Sequence, residues 1–299
     1  MFKQKSIAAI AALSFFSFLI SNLILAPSAS ALSMPVNGND LAQMYALNAK
    51  SYVVMDVNTG QMLVDKSSNT AMTPASLTKL LTIMVLLDTK PKLTKTVAIS
   101  SADQIMGACG KGGGCIKAKP GVRFTVDGLI RAALMPSANN AAAALAHSTG
   151  LTNAQFAARM NAKAKSLGAT HSYFVEPTGM SKSNVVTASD YAKIIASFYT
   201  NPYLRGIAQT SSFYLRSSNN AAYNQTIKNS DKLLNSNNVQ MLGAKTGYLT
   251  YYNFASVLNY SGHKLAIVVL GEPHLYTAFN DTESLADIAA QTKDLFALR

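Results

Sequence analysis

Histidine is scarce in this chain and never placed for metal chemistry. Its four copies, His147, His171, His263 and His274, show no HExxH or other paired metal spacing, and no G-x-S-x-G elbow accompanies them. That argues against a zinc enzyme and against a histidine-dependent triad. Cysteine is rarer still, with only Cys109 and Cys115, and two thiolates without neighbouring ligands do not complete a tetrahedral metal site. No metal and no cofactor is expected. Acidic residues are few, 14 against 26 Lys and Arg, for a formal net charge of +12. The basic residues are scattered singly, without the clustering and stacking aromatics of a nucleic-acid interface, so no nucleic-acid partner is expected. Internal repeats and low-complexity linkers are also missing, and Ser/Asn-rich stretches at 217–220 and 235–238 mark loops.

What the chain does have begins at its N-terminus. Lys3 and Lys5 precede an apolar run over residues 7–25 and then Ala29-Ser30-Ala31, the three-part grammar of a secretory signal with cleavage expected after Ala31. The run approaches the roughly 20 residues that span a bilayer, so an uncleaved N-terminal anchor is the alternative. Either way the remainder is expected to work outside the cytoplasm, in the periplasm or the cell wall. There the polyanions that suit its charge are anionic wall polymers and the acidic membrane face, although a solvated basic surface without a dedicated ligand is the simpler reading. In such an oxidising space Cys109 and Cys115, separated by Gly-Lys-Gly-Gly-Gly, read first as a local disulfide, with two free thiols as the alternative. Closing so small a loop removes unfolded-chain entropy worth on the order of 2 kcal/mol.

Residues 32–50 read as a polar, then weakly helical lead-in. Ser51–Val57 is rich in β-branched residues, Asn58-Thr59-Gly60 turns the chain, and residues 61–65 complete a hairpin. After Pro74, which suits a first helical turn, Leu77, Leu80, Leu81, Met84, Val85 and Leu87 repeat at helical spacing. Further helices are expected over 126–135, 140–147 and 153–167. Strand character returns at 239–247, 253–260 and 264–270, and a last helix, carrying Leu285, Ile288, Leu295 and Phe296, covers that sheet. Strands at both ends with helices between imply an α/β fold whose sheet draws on both termini.

Three short stretches carry the chemistry: Ser76-Leu77-Thr78-Lys79, Ser137-Ala138-Asn139 and Lys245-Thr246-Gly247. Singly two of them are cheap. Ser-x-x-Lys recurs at Ser261–Lys264, and Ser-x-Asn at Ser67, Ser217, Ser218 and Ser236, whereas Lys-Thr-Gly occurs once. Context separates the copies, because Ser76 opens a helix, Ser137 sits between helices and Lys245 lies on a strand. A serine hydroxyl needs a base, and Lys79, three residues on, shares one helical face with it. Burial among apolar neighbours, with Lys245 as a second cation nearby, would depress the Lys79 pKa into the working range of such a base. The simpler roles are a helix-start serine, a solvated lysine and a Ser/Asn helix cap; the three motifs together outweigh them.

This ordered set resembles the penicillin-binding serine acyltransferases, with Ser-Ala-Asn in place of Ser-Asp-Asn. The surrounding stretches, Pro74–Thr82, Leu134–Ala142, Phe174–Gly179 and Gly243–Tyr248, are similar to the low-molecular-mass D-alanyl-D-alanine carboxypeptidases and endopeptidases. The resemblance runs from about Ser51 to about Gly271. It implies a β-lactamase/transpeptidase-like α/β (α+β) fold, an antiparallel sheet flanked by helices with an inserted helical subdomain. The implied layout is a signal peptide over 1–31, a lead-in over 32–50 and a DD-peptidase catalytic domain over 51–299, without a C-terminal β domain.

The same resemblance implies roles. Ser76 attacks and Lys79 is its base; Ser137 relays a proton and Asn139 orients Lys79 and the substrate amide. Lys245, Thr246 and Gly247 receive the substrate and its carboxylate, and Tyr248 supplies an oxyanion N–H and an aromatic wall. The substrates implied are peptidoglycan stem peptides, with β-lactams as covalent inhibitors. D-alanyl-D-alanine carboxypeptidase is the main reading. Cross-link-cutting endopeptidase is the alternative that the short length and the runs Met160–Gly168 and Phe174–Gly179 favour. A β-lactamase and an inactive penicillin-binding sensor are the others. Glu176, which a β-lactamase would need for its deacylating water, reads as structural.

Overall fold

The structure is a computed structural model that describes residues 38–111 and 114–297, with side chains through 292. The expected export signal or anchor over 1–31 lies outside the described residues, as do Gly112, Gly113 and the side chains of Leu295 and Phe296.

The chain begins with α1 (Gly38–Gln43), β1 (Ser51–Asp56) and β2 (Met62–Lys66), then a 3-10 turn at Ala75–Leu77 that runs into α2 (Thr78–Asp88). A mainly helical middle follows: β3 (Thr96–Ala98), α3 (Ser101–Met106), β4 (Arg123–Thr125), α4 (Val126–Leu134), α5 (Asn139–His147), α6 (Asn153–Ser166), α7 (Ala188–Phe198) and α8 (Pro202–Ala208). The ribbon of β5 (Ser212–Leu215) and β6 (Gln225–Lys228) leads to β7 (Gln240–Tyr248), β8 (Tyr252–Tyr260), β9 (His263–Glu272) and α9 (Leu275–Ala297).

The five-stranded sheet has the order β2-β1-β9-β8-β7, antiparallel throughout. β1 pairs with β9, Val53 opposite Val268, so the sheet joins the two ends of the chain as the sequence implies. Successive strand side chains face opposite ways, and the two cores divide accordingly. Val53, Ala255, Val257, Ala266, Val268 and Leu270 face the helical middle, whereas Val54, Phe254, Leu258, Leu265, Ile267 and Val269 face α1 and α9. Burial on both faces explains the near-continuous apolar run of β9.

Most expected elements are present, with ends displaced by a residue or two. Residues expected to form only a lead-in include α1, whose Ala42 is buried and whose Asn39 accepts from the Asp65 N–H at 2.7 Å. Helix α7 is an addition. The hydroxyl of Thr187 caps it by accepting from the Asp190 N–H. Its buried Tyr191 donates to the Leu77 carbonyl at 2.6 Å and so holds the start of α2. β7 is an edge strand, and its end at Thr246-Gly247-Tyr248 borders a cleft of about 400 Å³.

Candidate active site

Ser76 lies in the 3-10 turn that feeds α2, where Pro74 precedes the turn and Ala75 takes φ +50°. A non-glycine residue in that region costs about 1–3 kcal/mol and persists where its surroundings fix it. Here Gly179 and Gly247 do so. A Cβ on Gly179, itself at φ +86°, would meet the Ala75 carbonyl oxygen at 1.9 Å; one on Gly247 would lie 2.9 Å from the Pro74 oxygen and 3.3 Å from the Ser76 nitrogen. Two backbone approaches open only to glycine therefore pin the serine turn between β7 and the 174–180 loop.

One helical turn on, Lys79 is wholly buried. Its Nζ reaches Ser76 Oγ at 2.7 Å, Asn139 Oδ1 at 2.6 Å and the Thr178 carbonyl at 2.6 Å. Burial pushes its pKa down to about 7, against the opposing pull of the Glu176 carboxylate. The expected lowering by a second cation does not act on Lys79, where burial is the cause; the charge of Lys79 instead lowers the pKa of Lys245. Three acceptors match the three N–H bonds of the ammonium form. Once Lys79 is neutral, two N–H bonds remain for Asn139 and Thr178, and the lone pair is left to accept the Ser76 proton.

Glu176 builds this arrangement from below. One carboxylate oxygen accepts from the backbone N–H and the hydroxyl of Thr178, the other from Gly179 N, Ser181 N and Asn184 Nδ2. Five donors organise the loop that turns the Thr178 carbonyl toward Lys79. A carboxylate so occupied is a structural group.

On the facing wall, Ser137 lies between α4 and α5 at φ +66°, and its Oγ accepts from Lys245 Nζ at 2.8 Å. Lys245 also donates to the Thr246 carbonyl at 2.8 Å and is 1% exposed. Its pKa is held well below the ordinary lysine value, by burial first and by the Lys79 charge second. Asn139 is fixed by donation to the Gly107 carbonyl at 3.1 Å and by its own N–H on the Gly114 carbonyl at 2.7 Å. The Gly114 carbonyl lies within the loop closed by the Cys109–Cys115 disulfide, and Gly107 precedes that loop by two residues.

The eight residues singled out in the three motifs and Tyr248 thus converge. Lys79 bridges Ser76 and Asn139, Lys245 meets Ser137, and Thr246, Gly247 and Tyr248 line the cleft with Ser76. Lys79 and Lys245 lie behind the cleft wall and reach it through the serines. Several participants carry no sequence signal. Ser230, a lone serine in a polar loop, shares a 2.7 Å hydrogen bond with the Thr246 hydroxyl, and the Thr178, Gly107 and Gly114 contacts are made by backbone carbonyls. Among the described residues no group of three or more His, Cys, Asp or Glu is placed to hold a metal.

Comparison with known proteins gives this geometry its family. A family model described as D-alanyl-D-alanine carboxypeptidase matches residues 38–274. A D-alanyl-D-alanine endopeptidase of Pseudomonas aeruginosa is 31% identical over 89% of this chain and 84% of its own. The D-alanyl-D-alanine carboxypeptidase DacB2 of Mycobacterium tuberculosis is 33% identical over 74% of each chain. Among solved structures, the Streptomyces K15 DD-transpeptidase superposes with a TM-score of 0.75 at 23% identity, covering 82% of this chain and 98% of that one. A D-alanyl-D-alanine carboxypeptidase from Mycobacterium tuberculosis gives 0.71 at 31% identity over 85% and 93%.

Proposed function

The chain belongs to the D-alanyl-D-alanine carboxypeptidase family of serine peptidases, and on that premise we propose that it removes the terminal D-alanine of peptidoglycan stem peptides through an ester on Ser76. The observation that carries this reading is the Lys79 contact, a buried amine with a pKa of about 7 placed 2.7 Å from the Ser76 hydroxyl.

Neutral Lys79 takes the Ser76 proton as Oγ attacks the D-alanyl carbonyl carbon. The oxyanion that forms is received by the N–H groups of Ser76 and Tyr248. As Lys79 becomes charged it drives a proton off Lys245, whose pKa burial already lowers and the new Lys79 charge lowers further. That proton passes through the Ser137 hydroxyl to the leaving nitrogen, and the C–N bond breaks. Water then attacks the ester carbon and gives up a proton to Lys245 through the Ser137 hydroxyl, and as the C–O bond to Ser76 breaks Lys79 returns its proton to Ser76 Oγ. The free edge of β7 offers backbone groups to an extended peptide. The Thr246 and Ser230 hydroxyls, with Lys245 behind them, receive the terminal carboxylate.

β-Lactams enter by the same attack and act as covalent inhibitors. The engagement of Glu176 with five donors speaks against its use as the deacylating base of a β-lactamase. The intact Lys79–Ser76 contact speaks against an inactive sensor. A second reading, an endopeptidase that cuts cross-links, is favoured by the 31% identity to the Pseudomonas aeruginosa endopeptidase along 89% of this chain. Action outside the cytoplasm fits a cell-wall peptidase and a chain with a disulfide. Export through the signal over 1–31, a catalytic domain over 51–299, and a role in cell-wall organisation and shape belong to the same proposal.

The test is incubation of the protein with defined monomeric and cross-linked muropeptides, with products identified by mass. Monomers shortened by one D-alanine support the carboxypeptidase. Cross-linked dimers split into monomers support the endopeptidase. No change in either, or equal conversion by Ser76→Ala protein, overturns both.

A further inference from the structure

The cleft that holds Ser76 has a third lysine on its rim. Lys79 and Lys245 are buried, with their N–H bonds given to protein acceptors. Lys111 differs: it lines the same cleft and is exposed, and among the described residues its ammonium has no hydrogen bond and no ion-pair partner.

Its place is built. Lys111 belongs to the segment that the Cys109–Cys115 disulfide closes, and its N–H donates to the Ala108 carbonyl at 3.0 Å. The Cys109 N–H is tied to Gln104, and the Gly114 carbonyl accepts from Asn139, the residue that also holds Lys79. The cation is therefore carried on a strap anchored to the catalytic wall. Its electrostatic setting is one-sided. Among the described residues the cleft lining contains no Asp or Glu. The stretch 104–126 holds Lys111, Lys117, Lys119 and Arg123 without an acid. Asp103, just before it, is buried and bound to Ser100 and His147. A cation facing a cleft with no local counter-ion favours an anionic ligand group there.

We propose that Lys111 is a specificity residue: its ammonium receives a free carboxylate carried on a side chain of the acyl-donor peptide, so that acidic stems are processed faster than their amidated counterparts. This rests on the reading of the site as a D-alanyl peptidase. The terminal carboxylate already has its receiver in Thr246 and Ser230 on the β7 side, which leaves the Lys111 wall to a second acid on the donor.

The experiment uses two pairs of synthetic peptides ending in D-alanyl-D-alanine. One pair differs only in a donor side chain ending as carboxylate or carboxamide, the other only in a free or amidated C-terminus. The ratio of kcat/KM within each pair is measured for the wild type and for Lys111→Ala, Lys111→Arg and Lys111→Glu at low and high salt. The wild type prefers the side-chain carboxylate about two- to fivefold at low salt, the range of an exposed ion pair, and loses the preference at high salt. Lys111→Arg keeps it, Lys111→Ala brings the ratio to about one, and Lys111→Glu inverts it, an order that a merely structural role of the loop would not produce. An unchanged side-chain ratio in Lys111→Ala overturns the proposal, as does loss of discrimination only in the C-terminal pair. If the wild type cleaves none of the peptides, the peptidase reading fails and this proposal fails with it.

Discussion

Glu176 holds Thr178 at two points, accepting from its backbone N–H at 2.7 Å and from its hydroxyl at 2.5 Å, and this grip turns the Thr178 carbonyl onto the Lys79 amine. The carboxylate also pulls the Lys79 pKa upward against burial. Replacing Glu176 by Gln removes that pull and sets an amide NH₂ against donors. The acidic limb of the acylation profile should move to lower pH, and thermal stability should fall by about 1–3 kcal/mol, the cost of unsatisfied buried groups. Acylation rate against pH, with a melting curve, reads both effects.

The wild-type profile is itself a test. In the proposed reaction Lys79 serves as base only when neutral, so acylation of Ser76 should rise as pH passes upward through about 7. The stability sign is opposite to that of an ion-paired lysine. The folded pKa is lowered from 10.5 to about 7, so between these values the unfolded chain binds the extra proton and stability rises with pH. Below about 7 the full penalty of the buried charge is present. Stopped-flow acylation and denaturant titrations across this window check the two trends.

Gly179→Ala should be severe. The new methyl would sit 1.9 Å from the Ala75 oxygen at a residue with φ +86°, so the loop and the serine turn cannot both keep their places. A loss on the order of 3 kcal/mol or more is expected, with acylation abolished in whatever remains folded. Circular dichroism melts and penicillin labelling measure it.

Removing the disulfide by Cys109→Ser with Cys115→Ser should cost on the order of 2 kcal/mol in chain entropy. It should also slow acylation, because the Gly114 carbonyl that accepts from the Asn139 N–H lies within the closed loop and Gly107, which accepts from the Asn139 side chain, stands just before it. Comparing the double variant with oxidised and reduced wild type, by melting temperature and acylation rate, separates the bond from the substitutions.

Tyr191→Phe deletes a buried hydroxyl that donates to the Leu77 carbonyl at 2.6 Å. A loss of about 1–3 kcal/mol is expected. Chemical denaturation checks it.

Much of this was legible in the residues. Alternation of Val53 and Val54, or of Val268 and Val269, marks strands buried on both faces, and the Leu77–Leu87 spacing marks α2. The Ser76–Lys79 pair was legible because helical geometry alone puts positions three apart on one face. Helix α7 carries Tyr191, Ile194, Ile195 and Phe198 at the same spacing but lies outside the expected helices, and β3 through β6 are too short for any periodicity to show. The rest of the site was hidden for a different reason. The Thr178, Gly107 and Gly114 carbonyls act through the backbone, which every residue shares, and Ser230 reaches Thr246 only through the fold.

The most direct test is intact-protein and peptide mass spectrometry after brief incubation with penicillin and, separately, with a D-alanyl-D-alanine peptide quenched in acid. One adduct per chain is expected with each ligand, both on the tryptic peptide containing Ser76, and neither in Ser76→Ala protein. An adduct on another residue, or one that survives the Ser76→Ala change, would contradict the account.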